Sequence, residues 1–175
     1  MKKFLLGMGV VACLLMTACG SGMKVEMDNP TNQKITVKID GSKEYSLNPM
    51  ELIEVTGLKK GEHTMTVNGG SEIKFNLENS SMINPTLSLY VIAEQEYGTG
   101  FADDSKWVDV VIDGKECWGP FKVIENAPVI ETASLNHGVL APFGEEIETY
   151  KSGTVVLTKI FRKDDFLKFY EEDYE

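Results

Sequence analysis

Histidine is nearly missing from this chain, with only His63 and His137 in 175 residues. No two imidazoles stand at a helical or strand spacing that would let them share an ion, so a histidine-based metal site is not expected. Basic residues are also short, 17 lysines and arginines against 27 acidic side chains. An acidic surface repels polyanions, which argues against nucleic acid as a partner. The aspartates at 103, 104, 109 and 113 are hard oxygen donors, but they lack the alternating Asp-x-Asp-x-Asp-Gly order of a calcium loop and read as a solvated acidic face. No apolar run is long enough for a membrane span: the longest, Phe4 to Met16, has the length of an export-signal core.

That run follows Lys2 and Lys3 and ends in Met16-Thr17-Ala18-Cys19, the pattern of a cleavable signal. The stretch resembles the lipobox of bacterial lipoproteins, with Met16 where leucine is usual. The resemblance implies that cleavage leaves Cys19 as the first residue, with its thiol acylated. Each buried methylene contributes about 0.8 kcal/mol, so a stable anchor needs at least two chains. Gly20 after the cysteine implies the outer membrane if the cell is Gram-negative. The expected layout is a signal peptide over 1–18, a lipidated tether over 19–22 and one β-rich domain over 23–175, with candidate sub-modules 23–78 and 86–175.

Loss of residues 1–18 leaves 157 residues, enough for one domain with its own core. Losing Lys2 and Lys3 takes the formal charge from −10 to −12. Cys13 leaves with the signal and Cys19 carries lipid, so Cys117 stands alone and no internal disulfide is expected.

From Met23 the chain alternates apolar and polar residues in short runs broken by Asn-Pro, Asp-Gly and Gly-Gly steps, the pattern of strands and turns. Residues 23–77 read as an antiparallel meander, with Asp40-Gly41 at a tight hairpin turn. Val37 to Gly41, with Leu58, Gly61, His63 and Val67, is similar to envelope modules of the PEGA type, though without the Pro-Glu-Gly-Ala signature. That likeness implies a β-sandwich.

Asn79 to Asn84 reads as a polar connection, Leu87 to Ala93 as a strand, and Trp107 to Ile124 as a hairpin about Asp113-Gly114 with Pro120 forcing an edge or bulge. Ile-Asp-Gly occurs at both Ile39 and Ile112; the flanking residues do not repeat, which points to shared turn chemistry and not to duplication. Asn126 to Gly144 shows no period, and Glu145 to Tyr150 suggests a helical turn. A strand through Val155, Leu157 and Phe161 should precede a helix capped by Asp164, with Phe166, Phe169, Tyr170 and Tyr174 on one stripe. The predicted class is mainly β, an antiparallel sandwich or meander with a short C-terminal helix.

Taken whole, Ile83-Asn84-Pro85-Thr86, Gly119-Pro120-Phe121 and the Lys159-Ile160-Phe161 to Asp165-Phe166 ending resemble an uncharacterised group of bacterial lipoproteins. That resemblance brings no activity with it.

Chemistry-bearing residues are few. His63 shares a face with Met65 and Val67 and reads as a satisfied core or rim histidine. A thiol-imidazole nucleophile would need Cys117 with His137, oriented by Asn136 or Glu131, but Cys117 shares a face with Phe121 and Val123 and reads as a small core side chain. Trp107 and Trp118 flank the second hairpin and read first as core; exposed, they would suit a glycan or a partner protein. The expectation is a non-enzymatic binding or structural protein of the envelope, without cofactor, metal or catalytic residues, held to the membrane through Cys19 and working with an envelope protein partner. Recognition of a glycan or small molecule is the alternative, and hydrolysis a weaker one.

Overall fold

The computed structural model describes residues 23–98, 107–143 and 154–173. The helical turn expected near 145–150, Tyr174, and the lipidation site Cys19 lie outside them. The chain is mainly β with one C-terminal helix, as the alternation predicts.

Residues 23–77 do not form the expected meander. Strand β1 (Val25–Asp28) leaves its neighbour in sequence and pairs antiparallel with β4 (Leu52–Glu54) on one side. On the other it runs parallel to β7 (Ser81–Ile83), which pairs antiparallel with β12 (Val129–Glu131). Strands β2 (Ile35–Ile39), β3 (Lys43–Leu47), β5 (Gly61–Val67) and β6 (Glu72–Leu77) make a separate sheet in the order β3-β2-β5-β6. A third sheet sets β8 (Tyr90–Gly98) between β11 (Phe121–Ile124) and β13 (Thr154–Arg162).

The sheet containing β1 and β7 is the middle layer. Val25, Met27 and Ile83 pack with Val37, Leu47 and Met65 of the second sheet. Met82 and Ile130 point the other way and pack with Tyr90 and Ile160 of the third. The register Met27↔Ile83 and Glu26↔Met82 sets this division, because successive side chains alternate faces.

The third sheet is covered on its far side by helix α1 (Lys163–Asp173), so Val91 and Ala93 meet Phe166, Phe169 and Tyr170 while Tyr90 and Ile92 face the middle layer. Burial on both faces is why Tyr90 to Ala93 reads as an unbroken apolar run. The helix begins one residue after β13 ends, so Asp164 lies in its first turn instead of capping it, and its carboxylate is 3.5 Å from Lys163. There it still complements the positive end of the helix.

Two strands fall in segments that read as connections. Ser81 to Ile83 is wholly buried: the Ser81 hydroxyl donates to the Asn79 carbonyl at 2.8 Å, and its amide donates to the Lys24 carbonyl at 2.9 Å. Val129 to Glu131 is too short to display a period. The turn reading of Asp-Gly is correct at both sites. Asp40 and Gly41 have φ of 50° and 64°, and Asp113 and Gly114 have 51° and 83°, a left-handed pair in both turns; Asp113-Gly114 is the whole loop between Ile112 and Lys115, whereas Ser42 completes a three-residue loop between Ile39 and Lys43.

Strands β9 (Val108–Ile112) and β10 (Lys115–Gly119) form a two-stranded ribbon. Pro120 marks the step out of the ribbon towards β8, and its carbonyl accepts the Glu94 amide at 3.1 Å. A side chain at Gly119 would lie 2.4 Å from the Phe121 ring, so the ring can turn inward only beside glycine.

Candidate functional site

The ribbon has two unlike faces. Val110, Ile112 and Cys117 face the core over α1, with Ile112 and Cys117 buried. Asp109, Val111, Glu116 and Trp118 take the opposite face, since Trp118 pairs with Asp109 and Glu116 with Val111. Trp118 is 50% exposed and Val111 67%. This corrects the core reading of the tryptophans: the ribbon buries one face towards α1, and among the described residues no layer covers the other. Trp107 joins Trp118 with ring centroids 4.2 Å apart and planes tilted by 57°.

Beside this pair lies a concavity of about 470 Å³, lined by Asp109, Val111, Glu116, Trp118 and Tyr170 among others. Helix α1 fixes it. The Trp118 amide donates to the Tyr170 hydroxyl at 3.1 Å, Lys115 lies 5.5 Å over the Tyr170 ring, and its ammonium meets Glu171 at 2.9 Å. An aromatic surface rimmed by carboxylates is the composition that stacks on a sugar ring or buries an apolar side chain next to a basic one.

The other candidates fall elsewhere. His63 is satisfied, as expected: Nδ1 meets Asp40 and Nε2 the Lys59 carbonyl, both at 2.8 Å, and the ring stacks on Phe75 at 5.5 Å. Burial works against its charged form, but the Lys59 carbonyl and the Asp40 carboxylate overcome this and raise its pKa.

Cys117 is buried with its thiol against the Lys115 carbonyl at 3.9 Å, and His137 packs edge-on to Phe143 at 5.8 Å. The two groups proposed to orient His137 are engaged elsewhere. Asn136 accepts from the Thr158 amide and hydroxyl, and Glu131 accepts from Asn79 at 3.4 Å. Asp113 pairs with Lys163, Asp109 stands on the ribbon, and Asp103 and Asp104 lie outside the described residues. Among the described residues no group of three or more His, Cys, Asp or Glu could hold a metal ion, and no helix is long and apolar enough to cross a membrane.

A polar constellation absent from the sequence reading lies at the opposite end of α1. Asp28 and Tyr90 are fully buried and Arg162 nearly so. Arg162 donates to Asp28 from Nε at 2.9 Å and from Nη2 at 2.6 Å, and Nη2 also donates to the Met50 carbonyl at 3.0 Å. The Tyr90 hydroxyl donates to the same carboxylate at 2.6 Å. The hydrogen bond to Asp28 raises the Arg162 pKa further, and burial raises that of Tyr90. One signal was there to be read: Arg162 is the chain's only arginine, at the end of an apolar strand. No family model, curated protein or solved structure matches the chain.

Proposed function

We propose that the protein is an exported, lipid-anchored component of the bacterial envelope that works by binding, with the outer face of the β9–β10 ribbon as its recognition surface and an envelope protein as its partner. The lipobox-type stretch ending at Cys19 supports the location. The observation that carries the binding role is the half-exposed Trp118, in tilted contact with Trp107 and on the same ribbon face as Asp109 and Glu116. A large rigid ring left in water on a braced hairpin is what an interface anchor requires, and truncating such an anchor costs about 2 kcal/mol or more of affinity. Cross-linking in intact cells, followed by mass spectrometry, tests the reading. A discrete partner captured by the wild type and lost in both Cys19→Ala and Trp118→Ala is expected; capture that survives Trp118→Ala assigns the interface elsewhere.

The same aromatic and acidic concavity favours one second reading, recognition of a glycan. Saturable quenching of tryptophan fluorescence by saccharides, removed in Trp118→Ala, would support it over a protein partner.

A further inference from the structure

Strands β1 and β7 run parallel and adjacent, and each is followed by an Asn-Pro-Thr turn, so both turns meet at one end of the middle sheet. Between them lies a cleft of about 490 Å³, which the tip of the β9–β10 ribbon borders through Asp113. Pro30 and Asn32 come from the first turn and Leu89 follows the second, while Met50 stands at the side. Arg162 also lines it, at the point where β13 passes directly into α1.

Only 5% of Arg162 is exposed, and its Nε and Nη2 are committed to Asp28 and Met50. Nη1 has no hydrogen-bond partner among the described residues, yet it is not a sealed orphan: the one buried unsatisfied side-chain atom there is Gln95 Oε1. Arg162 lines the cleft, so the two N–H donors of Nη1 are the part of its guanidinium left to meet a ligand there. Leaving buried donors unpaired is costly, so a held guanidinium edge opening on a cavity is a waiting hydrogen-bond site.

The charges choose the acceptor. Arg162 is neutralised by Asp28, and Lys163 at the mouth is already in contact with both Asp113 and Asp164. Among the described residues lining the cleft no cation is left to balance an incoming carboxylate or phosphate, and the chain as a whole is acidic. A neutral oxygen with a large dipole satisfies Nη1 without adding charge. Pro30, Met50 and Leu89 supply an apolar wall for an aliphatic group beside that oxygen.

We infer that this cleft binds a ligand through a neutral amide carbonyl that accepts a hydrogen bond from Arg162 Nη1, with the flanking aliphatic group against Met50 and Leu89. An acetamido sugar and a peptide both carry that group. Both are tested by NMR on the isotope-labelled full-length protein, titrated with N-acetylglucosamine, with N-acetylalanine N-methylamide, and with potassium acetate at matched ionic strength.

Saturable shifts of the Arg162 side-chain signals and of the Leu89 and Lys163 amides are expected with at least one amide, several-fold tighter than with acetate. The tighter of the two amides identifies the source. Asn32→Trp, which fills the cleft from an exposed position and spares the buried ion pair, should remove the shifts while leaving the unfolding midpoint in place. Acetate binding as tightly as the amides, no saturable shift with either amide, or shifts that survive Asn32→Trp would each overturn the assignment.

Discussion

Asn29 and Asn84 occupy the same place in two copies of one structural unit. Each is fully buried, and each donates its backbone amide at 2.9 Å to the antiparallel neighbour, to Glu51 in one case and Pro128 in the other. Each sends Nδ2 to the carbonyl four residues on, Gln33 at 2.7 Å and Ser88 at 2.9 Å, and to a second carbonyl across the sheet, Asn48 at 2.8 Å and Ala127 at 3.0 Å. The strands that follow keep the same order: β2 and β8 pair antiparallel with β3 and β11 on one side and with β5 and β13 on the other. The first unit packs Met27 on one face of the shared sheet and the second packs Met82 on the other.

Loss of either asparagine side chain strands several buried carbonyls at once. At about 1–3 kcal/mol for each group left unsatisfied, with local water recovering part, Asn29→Ala and Asn84→Ala should each cost ~2–4 kcal/mol. Urea unfolding of both variants checks this, and equal losses are expected from the equal geometry. A variant that melts with the wild type would show that its asparagine is replaceable by water.

The buried ion pair makes a different prediction, because its two halves depend on each other. Arg162→Met leaves the Asp28 carboxylate with Tyr90 as its remaining side-chain donor and should destabilise by about 3–5 kcal/mol. Combining it with Asp28→Leu and Tyr90→Phe removes the stranded carboxylate and hydroxyl and leaves only the Met50 carbonyl short of a donor, as in the single variant, so the triple variant should be more stable than the single one. Urea midpoints measured side by side decide it. A triple variant weaker than Arg162→Met would mean that packing at this point matters more than charge.

How much of this was legible depends on the range of the interaction. The Asp-Gly hairpins, the inward Cys117 and the β13-to-helix ending are local, and the alternation of side chains carries them. The parallel β1–β7 pair is not local: Val25 meets Ser81, and nothing within either strand names the other. Ser81-Met82-Ile83 looked like a connection because its serine is satisfied by backbone from outside the strand. The Ile-Asp-Gly turns, the visible sequence echo, stand at unequal places, one joining β2 to β3 and the other tipping the ribbon. The equivalent residues, Met27 and Met82 with their Asn-Pro-Thr turns, lie in segments whose flanks differ because each copy packs on a different layer.

The ribbon should behave as a surface on one face and as core on the other. Trp118→Ala removes a ring that is half in water, so a stability change below about 1 kcal/mol is expected, whereas Ile112→Ala should cost ~2–5 kcal/mol. The close, tilted indoles should also give an exciton couplet in the far-ultraviolet circular dichroism spectrum, lost equally in Trp107→Phe and Trp118→Phe. A couplet that persists in either variant would mean that the rings are not paired in solution.

The last prediction concerns pH and rests on His63. A carboxylate and a carbonyl can only accept, so satisfying Asp40 and Lys59 together requires a proton on both ring nitrogens. The pKa of His63 is accordingly raised above 6.5 in the folded state, burial being outweighed by these two partners. For Asp40, burial pushes upward but the bonds from His63 and from the Thr64 amide prevail and hold its pKa below 3.8. A raised histidine stabilises fully below its unfolded value and loses that contribution as pH rises through its folded value; a lowered carboxylate contributes above its unfolded value and loses it as pH falls through the folded one. The pair is therefore at full strength between about pH 3.8 and 6.5. The thermal midpoint of the wild type minus that of His63→Gln should be flat across that window and shrink above it. The Asp40 carboxylate is 45% exposed, so added salt should lower the plateau as well. A difference that grows with alkalinity would mean that His63 is held neutral, with one of its two hydrogen bonds unmade.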